Sequence, residues 1–303
     1  MQLNWTGVYP ALTTQFTADG ALDWGTYRHN VEAQLQAGVQ GLIVCGSLGE
    51  GSSLSLEEKL LIAEKTLAIS AGRVPVILNL AERSNRDAIY LAQQAEQRGV
   101  HGLMLLPPMQ YKADEREVVA YFRDVASATR LPIMIYNNPV DYKIFVSVDM
   151  FRQLMVHDNI QAVKESTRDL TNITRMRNAF GDRFKIMGGV DTLTVECLVM
   201  GADGLVAGLV NAFPRETVVI YELIQQGRIA EARELFAWFL PLLELDIHPK
   251  LVQYIKLAEL AVGLGNEYVR PPRLGLEGEE RQRVWQIIQD ALARRPAIEQ
   301  LVR

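Results

Sequence analysis

The stretch "LPIMIYN" (residues 131–137) is apolar without alternation until it reaches Tyr136 and Asn137. A half-solvated strand would alternate polar and apolar residues; a continuous run suits a strand of a parallel sheet, buried on both faces. Seven further runs of strand length share this character: "GVYPALT" (7–13), "GLIVCG" (41–46), "VPVILNL" (74–80), "GLMLLPP" (102–108), "IQAVK" (160–164), "FKIMGG" (184–189) and "GLVAGLV" (204–210).

Between the runs lie segments with helical character: residues 55–72, 84–100, 115–130 and 169–182. Ser55 followed by Glu58 has the spacing of a capping box, and Ser84 is placed to cap the next helix. Gly38, Gly72 and Gly99 each follow such a segment, where a glycine cap is expected. Eight strand–helix units predict a (β/α)8 barrel of the TIM type, a fold that takes about 250 residues. An open doubly wound sheet is the alternative. It fits less well, because "GSLGEGSS" (46–53) follows the second run and does not read G-x-G-x-x-G. From about residue 228 the pattern changes to two or three helices without strands. The expected organisation is a barrel over residues 1–227 and a C-terminal helical extension over 228–303.

Composition narrows the function. Of 303 residues 49% are hydrophobic and 22% charged, with a net charge of -5. That supplies a large core and offers no basic surface for nucleic acid or anionic membrane. Neither a signal peptide nor an apolar stretch of about 18 residues is visible, so a cytoplasmic protein with no membrane partner is expected. Cys45 and Cys197 sit in apolar surroundings and read as reduced core residues. His29, His101, His157 and His248 show no metal-binding spacing, and no metal or organic cofactor is expected.

In a barrel of this kind, reactive groups come from the C-terminal ends of strands. Lys164 ends the sixth run. A desolvated lysine loses its charge more readily, and the neutral amine can attack a carbonyl to form a Schiff base. The competing reading is a lysine that snorkels out of a strand end or pairs with Glu165. Tyr136 ends the fifth run and could carry a proton, or be a core tyrosine with its hydroxyl satisfied at the rim. Gly46-Ser47-Leu48-Gly49 is a glycine-framed turn whose backbone amides could hold a carboxylate and whose Ser47 hydroxyl could relay protons, or a tight loop with Glu50 near the following helix. No histidine stands at a strand end to activate Ser47 as a hydrolase nucleophile.

Gly46-Ser47-x-Gly49-Glu50, Tyr136-Asn-x-Pro139 and Lys164 together resemble the dihydrodipicolinate synthase / N-acetylneuraminate lyase superfamily, over nearly the whole chain. The resemblance implies a (β/α)8 barrel with a helical tail, Lys164 as Schiff-base lysine, Tyr136 as proton shuttle and Ser47 as hydroxyl relay. It also implies a carboxylate clamp from the Ser47–Leu48 amides beside Gly49, with Gly189 and Asp191 at the substrate, and a homotetramer built as a dimer of dimers. Dihydrodipicolinate synthases usually have a second threonine where Leu48 stands. They usually have an arginine at the position of Asp141, with Lys143 nearby here. They borrow a relay tyrosine from a neighbouring subunit, in the loop where Tyr111 is offset. Sialic acid lyases usually place a glutamate where Thr192 follows Asp191. The segments "GSLGE", "YNNPVDYK" and "HPKLVQYIKLA" look more like the 1-pyrroline-4-hydroxy-2-carboxylate deaminases.

The activity expected first is therefore Schiff-base deamination and dehydration of that cyclic imine to 2,5-dioxopentanoate. The alternatives are 4-hydroxy-tetrahydrodipicolinate synthesis from pyruvate and aspartate semialdehyde, aldol cleavage of a 2-oxo-3-deoxy sugar acid, and a metabolite-binding barrel without turnover. In every case the partner is a small carboxylate.

Overall fold

The computed structural model of the chain describes residues 3–298. Eight strands form one parallel sheet: β1 (Gly7–Pro10), β2 (Leu42–Val44), β3 (Val76–Leu80), β4 (Gly102–Leu105), β5 (Ile133–Asn137), β6 (Ile160–Glu165), β7 (Lys185–Gly188) and β8 (Gly204–Ala207). Neighbours run β1-β8-β7-β6-β5-β4-β3-β2. The ring closes between β1 and β2 through a parallel bridge of Ala11 to Ile43. There Leu12 N–H donates to Ile43 C=O (2.8 Å), and Gln40 N–H donates to Val8 C=O (2.9 Å). Each strand leads into a helix on the outside, from Trp24–Ala37 after β1 to Pro214–Gln225 after β8. This is the (β/α)8 barrel expected from the eight runs, and closure leaves no exposed sheet edge.

The unbroken apolar runs follow from this closure. Val8, Leu42, Leu78, Leu103, Ile135, Val163, Ile186 and Leu205 point outward and pack under the helices. Tyr9, Ile43, Ile77, Met104, Met134, Ala162, Met187 and Val206 point inward and fill the barrel. Both faces are dry, so both parities are apolar. The inward parity continues upward. Tyr136 lies two residues beyond Met134, Lys164 two beyond Ala162, Gly189 two beyond Met187 and Gly208 two beyond Val206. These four positions form part of the top layer of the interior.

Local signals hold up well. Ser55 Oγ accepts from Glu58 N–H (3.1 Å) and Glu58 accepts from Ser55 N–H (3.0 Å), closing the capping box. Ser84 accepts from Asp87 N–H. The eighth run, read as extending to 210, stops being a strand at Ala207. The reason is Asp191, whose carboxylate accepts from Gly208 N–H (3.0 Å) and Leu209 N–H (2.8 Å) and draws that backbone out of the ladder.

After the barrel come three helices, Ile229–Leu243, Leu251–Ala261 and Gly278–Ala293. No helix among the described residues is long and apolar enough to cross a membrane. The helix Leu251–Ala261 and the loop that follows it reach back to the turn after β2. There Cys45 and Glu50 both adopt left-handed φ values (60° and 54°), a conformation that costs non-glycine residues energy. Glu50 compensates by burying its carboxylate among fixed donors. It accepts from Lys256 Nζ (2.9 Å) and from Arg270 N–H (3.0 Å). Both Glu50 and Lys256 side chains are fully buried. Arg270 also grips Glu58 through two guanidinium bonds (2.7 and 2.8 Å), tying the capping box to the tail. Glu259, one turn beyond, accepts from Thr13 and Gln15, and burial pushes its pKa up to about 7.

Lys256→Ala leaves the Glu50 carboxylate buried without its cation. Such losses cost about 3–5 kcal/mol. Chemical denaturation should show that drop, together with a loss of activity from the freed turn; a midpoint equal to the parent's would contradict this account of the loop.

Candidate active site

Strand register brings the first two residues together. In the β5–β6 ladder Tyr136 is the partner of Lys164. The Lys164 ammonium position lies 4.1 Å above the centre of the Tyr136 ring. Lys164 is 7% exposed, which excludes a side chain that snorkels into solvent. It does not pair with Glu165 either. Glu165 has the opposite strand parity, and its carboxylate accepts from Asn172 (2.6 Å) and from Thr167 N–H (2.8 Å).

Two small residues make room for this lysine. Ala162 lies beneath it on the same strand. Gly189 stands beside it, and a Cβ there would come within 2.6 Å of Lys164 Cγ and 2.2 Å of Ser166 Oγ. Gly208 plays the same part for the tail: a Cβ there would lie 2.2 Å from an oxygen of Asp246. The result is a cavity of about 90 Å³ at the C-terminal end of the strands. Lys164, Tyr136, Ser47, Leu48, Gly189 and Asp191 all line it, as do Asp141, Arg168 and Asp246. Gly49 does not. A Cβ at Gly49 would meet the Leu12 carbonyl oxygen at 2.7 Å, so its role is close backbone packing beneath the turn.

The electrostatics favour an uncharged lysine. Burial lowers the Lys164 pKa, opposed by the Tyr142 hydroxyl and by the carboxyl groups of Asp246, Asp191 and Asp141. Burial also raises Tyr136, whose hydroxyl accepts from Asn138 Nδ2 (3.1 Å). Asp191 is raised by burial and is already committed to the Gly208 and Leu209 amides. Asp246 is pushed well above the usual carboxyl range by burial and by its neighbour Asp191.

The turn after β2 presents Ser47 and Leu48 to this cavity. Its own backbone bonds run from Glu50 and Gly51 N–H to the Ser47 and Gly46 carbonyls, leaving the Ser47 and Leu48 N–H groups outside that set. Amides in such a turn suit a carboxylate. The Ser47 hydroxyl is hydrogen-bonded to the Tyr142 hydroxyl. Tyr142 packs edge-on against Tyr136, with ring centres 5.6 Å apart.

Tyr142, Arg168 and Asp246 were not among the residues singled out from sequence. Tyr142 could have been found there, since it lies in the "YNNPVDYK" segment. Asp246 could not, because it comes from the tail and only folding brings it over the mouth. Of the remaining sequence candidates, Tyr111 is 56% exposed and does not line this cavity. Lys143 is exposed in a left-handed turn, donating to the Val140 carbonyl.

An amine with a lowered pKa facing a carboxylate-sized amide turn is equipped for carbonyl chemistry. The Dihydrodipicolinate synthetase family profile matches residues 4–291. The chain belongs to the dihydrodipicolinate synthetase family. A 4-hydroxy-tetrahydrodipicolinate synthase of Exiguobacterium sibiricum is 33% identical over 273 residues, covering 89% of this chain and 91% of that protein. The crystal structure of dihydrodipicolinate synthase from Aquifex aeolicus superposes with a TM-score of 0.90 at 26% identity, over 94% of this chain and 97% of that one. YagE, a prophage protein of the family from E. coli K12 solved in complex with pyruvate, superposes with a TM-score of 0.89 at 27% identity, over 95% and 99%.

Two outcomes test this geometry. Lys164→Met removes a buried amine. Between its lowered folded pKa and the 10.5 of a free lysine, the unfolded chain binds the extra proton, so parent stability rises with pH. The variant should be at least as stable as the parent at neutral pH, with the difference changing in the parent's favour as pH approaches 10. Gly189→Ala should displace the Lys164 side chain and cost about 10²-fold in kcat/KM while the protein still folds. Parent-like turnover of Gly189→Ala would show that this approach is unimportant.

Proposed function

We propose that this family member is a lysine Schiff-base lyase for a small 2-oxo acid or its cyclic imine. The observation that carries the reading is a buried Lys164, its pKa lowered by burial, lining one cavity with Tyr136 and the Ser47–Leu48 turn. The substrate carboxylate rests on those amides. The Lys164 nitrogen forms a bond to the neighbouring carbonyl carbon, and the carbonyl π pair moves to oxygen. Two proton transfers later that oxygen leaves as water, and an iminium remains. Its positive charge falls among Asp141, Asp191 and Asp246, which favour it electrostatically. A proton then leaves C3, and its electron pair forms an enamine ready to join a second molecule or to expel a leaving group.

For the second step, the similarity to 4-hydroxy-tetrahydrodipicolinate synthases favours condensation of pyruvate with aspartate semialdehyde over the deamination first expected from sequence. One observation speaks for the deaminating reading. Where the synthases usually carry arginine, Asp141 lines the cavity, and Asp246 adds a second carboxyl group. An acidic wall suits a substrate with a hydroxyl or protonated nitrogen better than a second carboxylate. In that version 1-pyrroline-4-hydroxy-2-carboxylate opens on Lys164, loses its hydroxyl as water, and takes up two waters to release ammonia and 2,5-dioxopentanoate. The homotetramer and the cytoplasmic location belong to this proposal as well.

One assay decides. Borohydride reduction with pyruvate should place a stable adduct on Lys164, read by peptide mass. The protein is then supplied with pyruvate plus aspartate semialdehyde, or with the pyrroline. Consumption of pyruvate only with the semialdehyde supports synthesis; release of ammonia from the pyrroline supports deamination. No adduct with either 2-oxo acid or imine would overturn the Schiff-base reading itself.

A further inference from the structure

The Ser47–Tyr142 pair stands at a boundary. Both residues line the Lys164 cavity, and both also line a second, wider space of about 630 Å³. That second space is bounded by polar groups, among them Asn79, Glu82, Arg83, Asp87 and Gln110. Lys164 and Tyr136 do not line it. The two hydroxyls therefore stand between the Lys164 cavity and this second groove.

We propose that Tyr142 is a proton-relay residue of its own chain, passing protons between Ser47 and the groove. The inference rests on the Schiff-base reading of Lys164. Three observations support it. The hydroxyls of Ser47 and Tyr142 are in direct hydrogen-bond contact. Tyr142 is close enough to Lys164 for each to bias the other's ionisation. The tyrosine is held in place, because it ends the short helix Pro139–Tyr142 and its ring packs edge-on to Tyr136. Asn138 starts that helix by accepting from Asp141 N–H, and also donates to Tyr136. One short segment thus sets both tyrosines.

The transfer balances without any further reagent. As the C3–H bond breaks, its electron pair forms the C2=C3 bond and the iminium π pair returns to nitrogen. The proton goes to the Ser47 oxygen, the Ser47 proton to the Tyr142 oxygen, and the Tyr142 proton to water in the groove. Each hydroxyl ends with the one proton it began with. Reversal returns a proton to the enamine. Tyr111 is exposed and does not line the cavity of its own chain, so the relay is written without it.

The test uses pyruvate as probe in D2O. Exchange of its methyl protons, followed by NMR, reports enamine formation without any second substrate. Tyr142→Phe should slow exchange about 10²-fold, the lower range for proton transfer by a placed group. Borohydride trapping on Lys164 and the apparent affinity for pyruvate should stay within about twofold, because Tyr142 contacts the Ser47 hydroxyl and neither the turn's amides nor the new bond. Ser47→Ala should slow exchange comparably, and the double variant should be no slower than the worse single one, since the hydroxyls act as one wire. Tyr111→Phe should exchange at the parent rate. Parent-like exchange by Tyr142→Phe, or losses that multiply in the double variant, would overturn the relay. A parent protein that forms no adduct would instead remove the Schiff-base reading beneath it.

Discussion

A lysine inside a closed ring of strands has little water to stabilise its charge. That constraint organises the upper half of this barrel. Strand parity turns Lys164 inward, Ala162 and Gly189 clear its path, and Glu165 is turned outward to partners of its own. Burial drives the amine toward neutrality, the form that reacts. The aromatic ring and the three carboxyl groups around it oppose that drive. On the proposed mechanism that opposition is useful, because an iminium would carry on the same nitrogen the charge those neighbours favour. The surroundings would then serve the charged intermediate more than the resting amine, which is where stabilisation accelerates a reaction.

Precision in the turn that faces this amine comes from far along the chain. Cys45 and Glu50 hold left-handed backbone conformations that neither residue prefers. The Glu50 carboxylate is locked by Lys256 and Arg270, more than 200 positions later. A fully buried ion pair is weak evidence for stability in general. Here its donors also satisfy a turn that would otherwise relax, so its larger effect is on where Ser47 and Leu48 sit. The tail helices are thus part of the site's scaffolding as much as of the hydrophobic core.

Much of this was legible in the residues. Unbroken apolar runs such as residues 131–137 announce strands dry on both faces, and eight of them leave few architectures. Ser55 with Glu58, and Ser84, mark helix starts because capping depends on neighbours in sequence. Lys164 and Tyr136 could be read as strand-end residues, and register then made them partners. What sequence did not carry was contact between distant segments. Glu50 read as belonging near the following helix, yet its bonds go to the tail. The eighth run looked like strand to residue 210, and only the Asp191 carboxylate explains why it ends sooner. Asp246 was invisible for the same reason, and Ser47 was expected to work with Tyr136, whereas its hydroxyl partner is Tyr142.

Gly208 has a further consequence. By giving up its side chain it admits Asp246, so one wall of the reaction chamber is built by a segment outside the eight strand–helix units. The amine and the turn after β2 belong to the barrel, and the barrel's Asp141 shares the acidic wall with Asp246 of the tail. On the proposed mechanism, choice of guest would draw on both stretches of the chain. Exchange of residues 244–251 between relatives offers a way to redirect such a protein toward new molecules while the amine and its strand remain untouched.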